Sequence, residues 1–513
     1  MRKLLALITA VVSVAAFAAI GCGNDEGAAS GAVELVPANA FVYGEATLEP
    51  EGDQKQAIDS ILSKFPGGGQ AGEKLKELIE KGLRESDAPI TFKDDIEPWL
   101  GDEAAFFASA PGRNGGDPQE AAGLIATDDE DAAREALEKS AEGDLKTQDY
   151  NGVDLLTDDS GEAGAVLEGF LVLGSPEGVK AVVDTSQGDS DKLSDDEDYG
   201  NAIEGAAEDR LGFVYVNMPL FLRAAQQSGG TPVPEAFDKL FEEPLVATVD
   251  ADDDGVVFEA NIAKELAQSF GFLGEGSDLL AELPADSWLA TAQTDFGELL
   301  DYYVEGFGAS LGGRDNVEQQ FQAATGLDLQ RDVIDWMGDF GIFARGASVS
   351  ELDGALIVET NDEDASGRFI AALQRLARTQ GEGEVQVGPL SAPGGGDGFT
   401  LRAQGIPKPV HVFQRDGRVV FAYGDAAATD ATDAGEKLGD DADFAATRDS
   451  LGDYAVSFYL QMQPIFDLVD STEAATDADW QRAKPYLEPL SALVGGTSGE
   501  GDDLRSAFKL VVK

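Results

Sequence analysis

The chain has 513 residues, 43% of them hydrophobic, and 97 Asp and Glu against 36 Lys and Arg give a formal net charge of −61. A surface so acidic repels phosphate backbones and anionic headgroups, which excludes nucleic acid as a partner and leaves either a solvated surface or an attraction for cations and basic partners. One Cys and one His exclude a disulfide framework within the chain and any metal site built on two histidines, so stability must come from packing in more than one domain.

The N-terminus has the layout of an export signal: Arg2 and Lys3, an apolar run from Leu4 to Ile20, then the small residues Gly21, Cys22 and Gly23. The stretch Ala19-Ile20-Gly21-Cys22 resembles the lipobox of bacterial lipoproteins, with Ala19 where Leu is usual. That resemblance implies diacylglycerol on the Cys22 sulfur, cleavage before it, and acyl chains such as palmitate holding the protein in a membrane. The competing readings are an ordinary cleaved leader or an uncleaved helix of borderline length. The only Cys of the chain standing at the one position the motif needs favours lipidation. Residues 1–21 then form the leader, and 22–32, small and polar, a flexible tether. Loss of Arg2 and Lys3 makes the mature body two charges more negative.

Within residues 33–264, Phe41 to Leu48 reads as a strand, followed by amphipathic helices over Lys55 to Phe65 and Glu73 to Leu83 with Pro66-Gly67-Gly68-Gly69 as the break. Strands follow around Ala104 to Ala108 and Gly123 to Thr127, then a helix from about Glu130 to Ala141, and short strands near Val153 to Leu156 and Phe170 to Gly174 lead to further helices. Leu245 to Val249 and Val256 to Ala263 form a closing hairpin. Neighbouring strands joined by short turns predict an α+β domain, an antiparallel sheet with helices packed on one face. Residues 265–281 connect it to a second domain, 282–513, that follows the same order and ends in the strand Ala507 to Val512.

The second half repeats the first. Pro37-Ala38 corresponds to Pro284-Ala285, Pro98-Trp99-Leu100-Gly101-Asp102 to Asp335-Trp336-Met337-Gly338-Asp339, and Thr127-Asp128-Asp129-Glu130-Asp131-Ala132 to Thr360-Asn361-Asp362-Glu363-Asp364-Ala365. Farther on, Leu193 to Tyr199 matches Leu438 to Phe444, and Pro219-Leu220-Phe221 matches Pro464-Ile465-Phe466. All five lie in order, roughly 240 residues apart, which predicts a tandem duplication. The opening Val36-Pro37-Ala38-Asn39 with its Val42-Tyr43-Gly44-Glu45-Ala46 strand, the Asp95-x-x-Pro98-Trp99-Leu100-Gly101-Asp102 segment and the lipoprotein start resemble the bacterial domain-of-unknown-function family 3352. The resemblance implies an envelope address and carries over no catalytic residue.

Each candidate site also fits a plainer role. Gly308-Ala309-Ser310-Leu311-Gly312 fits a nucleophile elbow, with His411 downstream as base, but an elbow needs a strand before its Ser and Phe296 to Phe307 has helical spacing. His411, in Val410-His411-Val412-Phe413, reads as a satisfied strand residue. Asp250, Asp252 and Asp254, followed by Gly255, copy the first half of a calcium loop, yet Asn261 stands where a bidentate Glu is needed and the pattern fits a hairpin turn better. Asp128 to Asp131 and Asp362 to Asp364 lie where strands end and helices begin, as caps would. Trp99 and Trp336 read as packing anchors, and Gly67 to Lys74 lacks the Lys-Ser/Thr ending of a phosphate loop.

These readings lead to a non-enzymatic envelope lipoprotein with a binding or scaffolding role, needing no cofactor and held by lipid on Cys22 at the extracytoplasmic face of the cell membrane. Its expected partners are the membrane and an envelope protein or apolar ligand. The alternatives are a carrier of a lipid or other apolar molecule, which requires an apolar cavity, and a serine hydrolase using Ser310.

Overall fold

The computed structural model describes residues 31–68, 71–85, 89–110, 120–141, 143–204, 210–227, 242–261, 274–310, 312–380, 385–499 and 504–513. They fall into two compact units, the first holding the described residues from 31 to 261 and the second those from 274 to 513. Each is α+β, and every strand pairing within each is antiparallel.

In the first unit the strands are β1 (Val42–Thr47), β2 (Leu100–Ala110), β3 (Glu120–Thr127), β4 (Lys146–Tyr150), β5 (Val153–Thr157), β6 (Ala163–Leu167), β7 (Phe170–Gly174), β8 (Gly212–Val216), β9 (Leu245–Asp252) and β10 (Gly255–Asn261). Pairing orders them β10-β9-β8-β1-β2-β3-β7-β6-β5-β4. Three tight hairpins are set by local chemistry. Asn151-Gly152 turns β4 into β5 and Glu168-Gly169 turns β6 into β7 with both residues at positive φ, while Asp253-Asp254 links β9 to β10.

The second unit contains β11 (Leu289–Gln293), β12 (Met337–Arg345), β13 (Asp353–Thr360), β14 (Val385–Pro389), β15 (Asp397–Ala403), β16 (Val410–Arg415), β17 (Arg418–Tyr423), β18 (Ala455–Gln461), β19 (Leu490–Ser498) and β20 (Arg505–Val512). Their order is β20-β19-β18-β11-β12-β13-β17-β16-β15-β14.

Helices cover both faces of the central strands, which corrects the expectation of a single covered face. Along β3, Leu124 and Ala126 join one core and Ile125 the other; along β7, Phe170 and Val172 join the first and Leu171 and Leu173 the second. The helix Pro176–Gln187 packs Val179, Val182 and Val183 into the first core, and the helix Glu130–Ser140 packs Ala133, Ala136 and Leu137 into the other. The second unit divides in the same way, Ala355 and Ile357 of β13 on one side and Leu356 and Val358 on the other. Continuous apolar runs are what a strand buried on both faces requires.

Strands β4, β6 and β8 went unread in the sequence. The Glu73 to Leu83 expectation falls within the helix Ala71–Glu85, and the Lys55 to Phe65 expectation corresponds to the helix Gly52–Ser63.

Candidate functional site

The sequence candidates separate in the fold. Cys22, its leader and most of the tether lie outside the described residues. Ser310 ends the helix Phe296–Ser310, so no strand precedes it as an elbow demands. His411 is fully buried on β16, with Nδ1 at 3.0 Å from Thr400 Oγ1 and Nε2 at 2.8 Å from Asp425 Oδ1. Both ring nitrogens are therefore engaged.

Asp250 and Asp252 lie on β9 and Asp254 in the turn after it, where the Asp254 N–H donates to Asp252 Oδ1 at 3.2 Å and the Asp253 carbonyl accepts from Ser60 Oγ and Lys64 Nζ. The chain runs on into β10 instead of an exiting helix. Among the described residues no group of three or more His, Cys, Asp or Glu is placed to hold a metal ion.

The acid runs cap helices. Asp129 Oδ1 accepts the Ala132 N–H at 3.0 Å, and Asp362 Oδ1 accepts that of Ala365 at 2.9 Å. Trp99 and Trp336, each 1% exposed, donate their indole N–H to the backbone carbonyls of Asp95 and Asp332, four residues earlier. Those two carboxylates are in turn neutralised from the helix after the next two strands, Asp95 by Lys139 at 2.5 Å and Asp332 by Arg368 at 3.0 Å. The Arg331 guanidinium beside Asp332 holds its carboxyl well below the usual range. Burial raises Asp95, but hydrogen bonds from Lys139 and Thr91 outweigh it and leave it lowered.

A cleft that the sequence reading missed lies at one end of the first unit. The Pro37-Ala38-Asn39 loop is fixed by the Ala38 N–H to the Asp191 carbonyl at 2.9 Å and by the Leu193 N–H to the Val36 carbonyl at 2.8 Å. Opposite it runs the helix Pro176–Gln187, started by Ser175, whose Oγ accepts the Gly178 N–H, and by Pro176 in its first turn. Its valines face the core, so Glu177, Lys180 and Asp184 face outward; the helix stops at Gly188, at φ 78°, and Asp189-Ser190-Asp191 returns to the loop. Together with Glu120 and Tyr150 these residues line a cavity of about 550 Å³. A second cavity of about 480 Å³ shares Ala38 and Asp191 and adds Lys192, Asp195, Asp196, Glu197 and Asp198.

The lysines here already have partners. Lys180 pairs with Glu177 at 3.0 Å and lies 5.8 Å from the Tyr150 ring, and Lys192 pairs with Glu34 at 2.9 Å. Asp184 accepts from Tyr150 Oη at 3.0 Å and from Asn151 Nδ2 at 3.1 Å, and that bond raises the phenol's pKa. Carboxylates remain in excess. The signal in the sequence is the outward acids of one helix turn followed by Asp189, Asp191 and Asp195 to Asp198.

A half-buried carboxyl stands near the first described residues of the first unit. Glu103 Oε1 accepts the Ala32 N–H at 2.9 Å. Burial pushes its pKa up to about 7 against that hydrogen bond, with Glu45 and Asp102 adding to the rise. Glu45 itself is held by Arg210 at 2.6 Å and by the Tyr43 hydroxyl at 2.8 Å.

Fold and site define a two-unit antiparallel α+β protein with an acidic cleft on its first unit. The chain belongs to the family described as protein of unknown function (DUF3352), whose model matches residues 4–503. It is similar to the structure of crystal form IV of TP0453, at a TM-score of 0.24 and 10% identity over 47% of this chain and 85% of that one. Crystal form I of TP0453 matches at a TM-score of 0.24 and 9% identity over 45% and 78%. No curated protein matches the chain.

Proposed function

We propose that this protein is an exported lipoprotein, anchored through Cys22 to the extracytoplasmic face of a membrane, whose duplicated body binds a basic segment of an envelope partner and performs no catalysis. The observation that carries the binding reading is the cleft between the Pro37-Ala38-Asn39 loop and the helix Pro176–Gln187, where Glu120, Glu177, Asp184, Asp189 and Asp191 surround one paired lysine. Spread carboxylates over this volume suit an extended polycation, whose several ammonium or guanidinium groups each find a partner. Cavities lined by acids and lysines favour a cationic ligand over the apolar cargo of a carrier.

The duplication reading is supported at matched positions. Adding ten to each strand number turns the first strand order into the second. Pro37 bridges Lys192 as Pro284 bridges Lys437. Asp196 caps onto the Tyr199 N–H as Asp441 caps onto that of Phe444. The Thr127 N–H reaches the carbonyl of Gly169 in the β6–β7 turn at 2.8 Å, and that of Thr360 reaches Gly417 in the β16–β17 turn at 2.9 Å.

The test is fluorescence anisotropy with a labelled Lys- and Arg-rich peptide against the soluble body and its Glu177→Gln, Asp189→Asn, Asp191→Asn triple variant. Exposed charge pairs contribute roughly 0.5 kcal/mol each, so the variant should bind about tenfold more weakly, with a flatter salt dependence. Equal affinity for both proteins would overturn the cleft as the site.

A further inference from the structure

A guanidinium is already held by acids in the second unit, at positions that match the cleft of the first. Arg345 ends β12 and donates to three carboxylates from three elements: Nη1 to Asp286 at 2.9 Å, Nε to Asp353 at 2.7 Å and Nη2 to Asp430 at 2.7 Å. Its side chain is 11% exposed, and the second oxygen of Asp353 meets Lys408 at 3.7 Å. A planar guanidinium suits three separated acids because its N–H groups leave in fixed, divergent directions.

The three acids have counterparts in the first unit. Asp353 opens β13 as Glu120 opens β3. Asp286 stands two residues after Pro284, which bridges Lys437, as Asn39 stands two after Pro37, which bridges Lys192. Asp430 is the sixth residue of the helix Asp425–Asp430, and Ala181 the sixth of Pro176–Gln187. Glu120, Asn39 and Ala181 all line the cleft of about 550 Å³. What differs is the position that supplies the cation. Leu289 pairs with Ala344 and Val42 with Ala108, so the residue matching Arg345 is Ser109, at a bulge of β2. Serine brings a hydroxyl where arginine brings a charge, and Ser109 Oγ donates to Glu120 Oε1. Lys180, which also lines the cleft, is committed to Glu177. Among the described residues no cation pairs with Glu120.

Given a cleft that takes a basic segment, as proposed above, we infer that it recognises arginine in particular, drawing a guanidinium of the partner against Glu120 where the second unit places that of Arg345. Glu120 and Asn39 Oδ1 supply acceptors at two of the three matched positions. At the third, Ala181 has no polar side chain, but Asp184, three residues farther along the helix, also lines the cleft. The short side chain of Ser109 leaves the place of the arginine to a group arriving from solvent. A lysine ammonium, a compact charge without the fork, meets fewer acceptors spaced in this way.

The test compares two labelled peptides of equal length and charge, one with only arginine as its cation and one with only lysine, by fluorescence anisotropy against the full chain in neutral detergent. The arginine peptide should bind about tenfold more tightly, the effect of one further charge-assisted hydrogen bond. Glu120→Gln should abolish most of that preference. Ser109→Arg, which gives the first unit an arginine where the second has one, should weaken the arginine peptide with the fold retained by circular dichroism. Equal affinity of the unmutated protein for both peptides, a preference that survives Glu120→Gln, or a folded Ser109→Arg that binds the arginine peptide undiminished would each overturn arginine recognition while leaving the basic-segment reading in place. Binding of neither peptide would overturn both. The unmutated protein and Glu120→Gln decide even if Ser109→Arg does not fold.

Discussion

Glu103 shows how one partly buried group sets a pH dependence. Its carboxyl titrates near 7 in the folded unit against an ordinary value of 4.5, so between those limits the unfolded chain has lost a proton that the folded chain retains. Stability conferred by the protonated carboxyl is fully present below pH 4.5 and falls as pH rises through 7, by up to about 3 kcal/mol. Glu103→Gln should remove this slope and stabilise the protein at pH 8 relative to wild type; urea titrations of both at pH 5 and pH 8 decide, and parallel pH dependences would contradict it. The same residue scale explains why the partners of His411 were not legible. The sequence marks it as a strand residue, but Thr400 and Asp425 reach it only through the β15–β16 register and the placement of a following helix, neither of which local pattern reveals.

At the level of elements, what could be read was what carries a local signal. Phe170–Gly174 is an apolar run bounded by a Glu-Gly turn and a Ser-Pro helix start, and its limits were read without error. Two of the strands not read from the sequence carry weaker signals. Lys146-Thr147-Gln148-Asp149-Tyr150 is a polar, largely exposed edge strand, and charge there discourages pairing with another chain. Ala163-Gly164-Ala165-Val166-Leu167 is built from small residues because helix side chains press on it: a Cβ on Gly164 would lie 2.7 Å from Leu137. Burial of both sheet faces was likewise present in the runs Leu124-Ile125-Ala126 and Phe170 to Leu173 and was overridden by the hairpin pattern. The capping aspartates yield an element-scale prediction. Asp129→Ala and Asp362→Ala should each cost about 1 kcal/mol by chemical denaturation, with Asn in their place recovering most of it. A loss under a few tenths at either site would show that the helix start is held by other contacts.

For the molecule as a whole, charge and address belong together. A chain with a formal charge of −61 is repelled by anionic headgroups, so an acidic surface alone would not keep it at a membrane. Among the described residues no helix is long and apolar enough to cross one. The anchor proposed above is the sulfur of Cys22 with the acyl chains it would carry, each adding about 0.8 kcal/mol per buried methylene. The cleft residues, scattered from Pro37 to Asp198, were not legible as a site because only the fold gathers them, whereas the proposed anchor motif is contiguous in the sequence. The most direct measurement is intact-mass analysis and detergent phase partition of the protein and its Cys22→Ser variant expressed with their leader. Lipidation predicts a diacylglycerol-sized mass increment and detergent-phase protein that both vanish in the variant; equal masses after the single-atom correction and equal partition would contradict it.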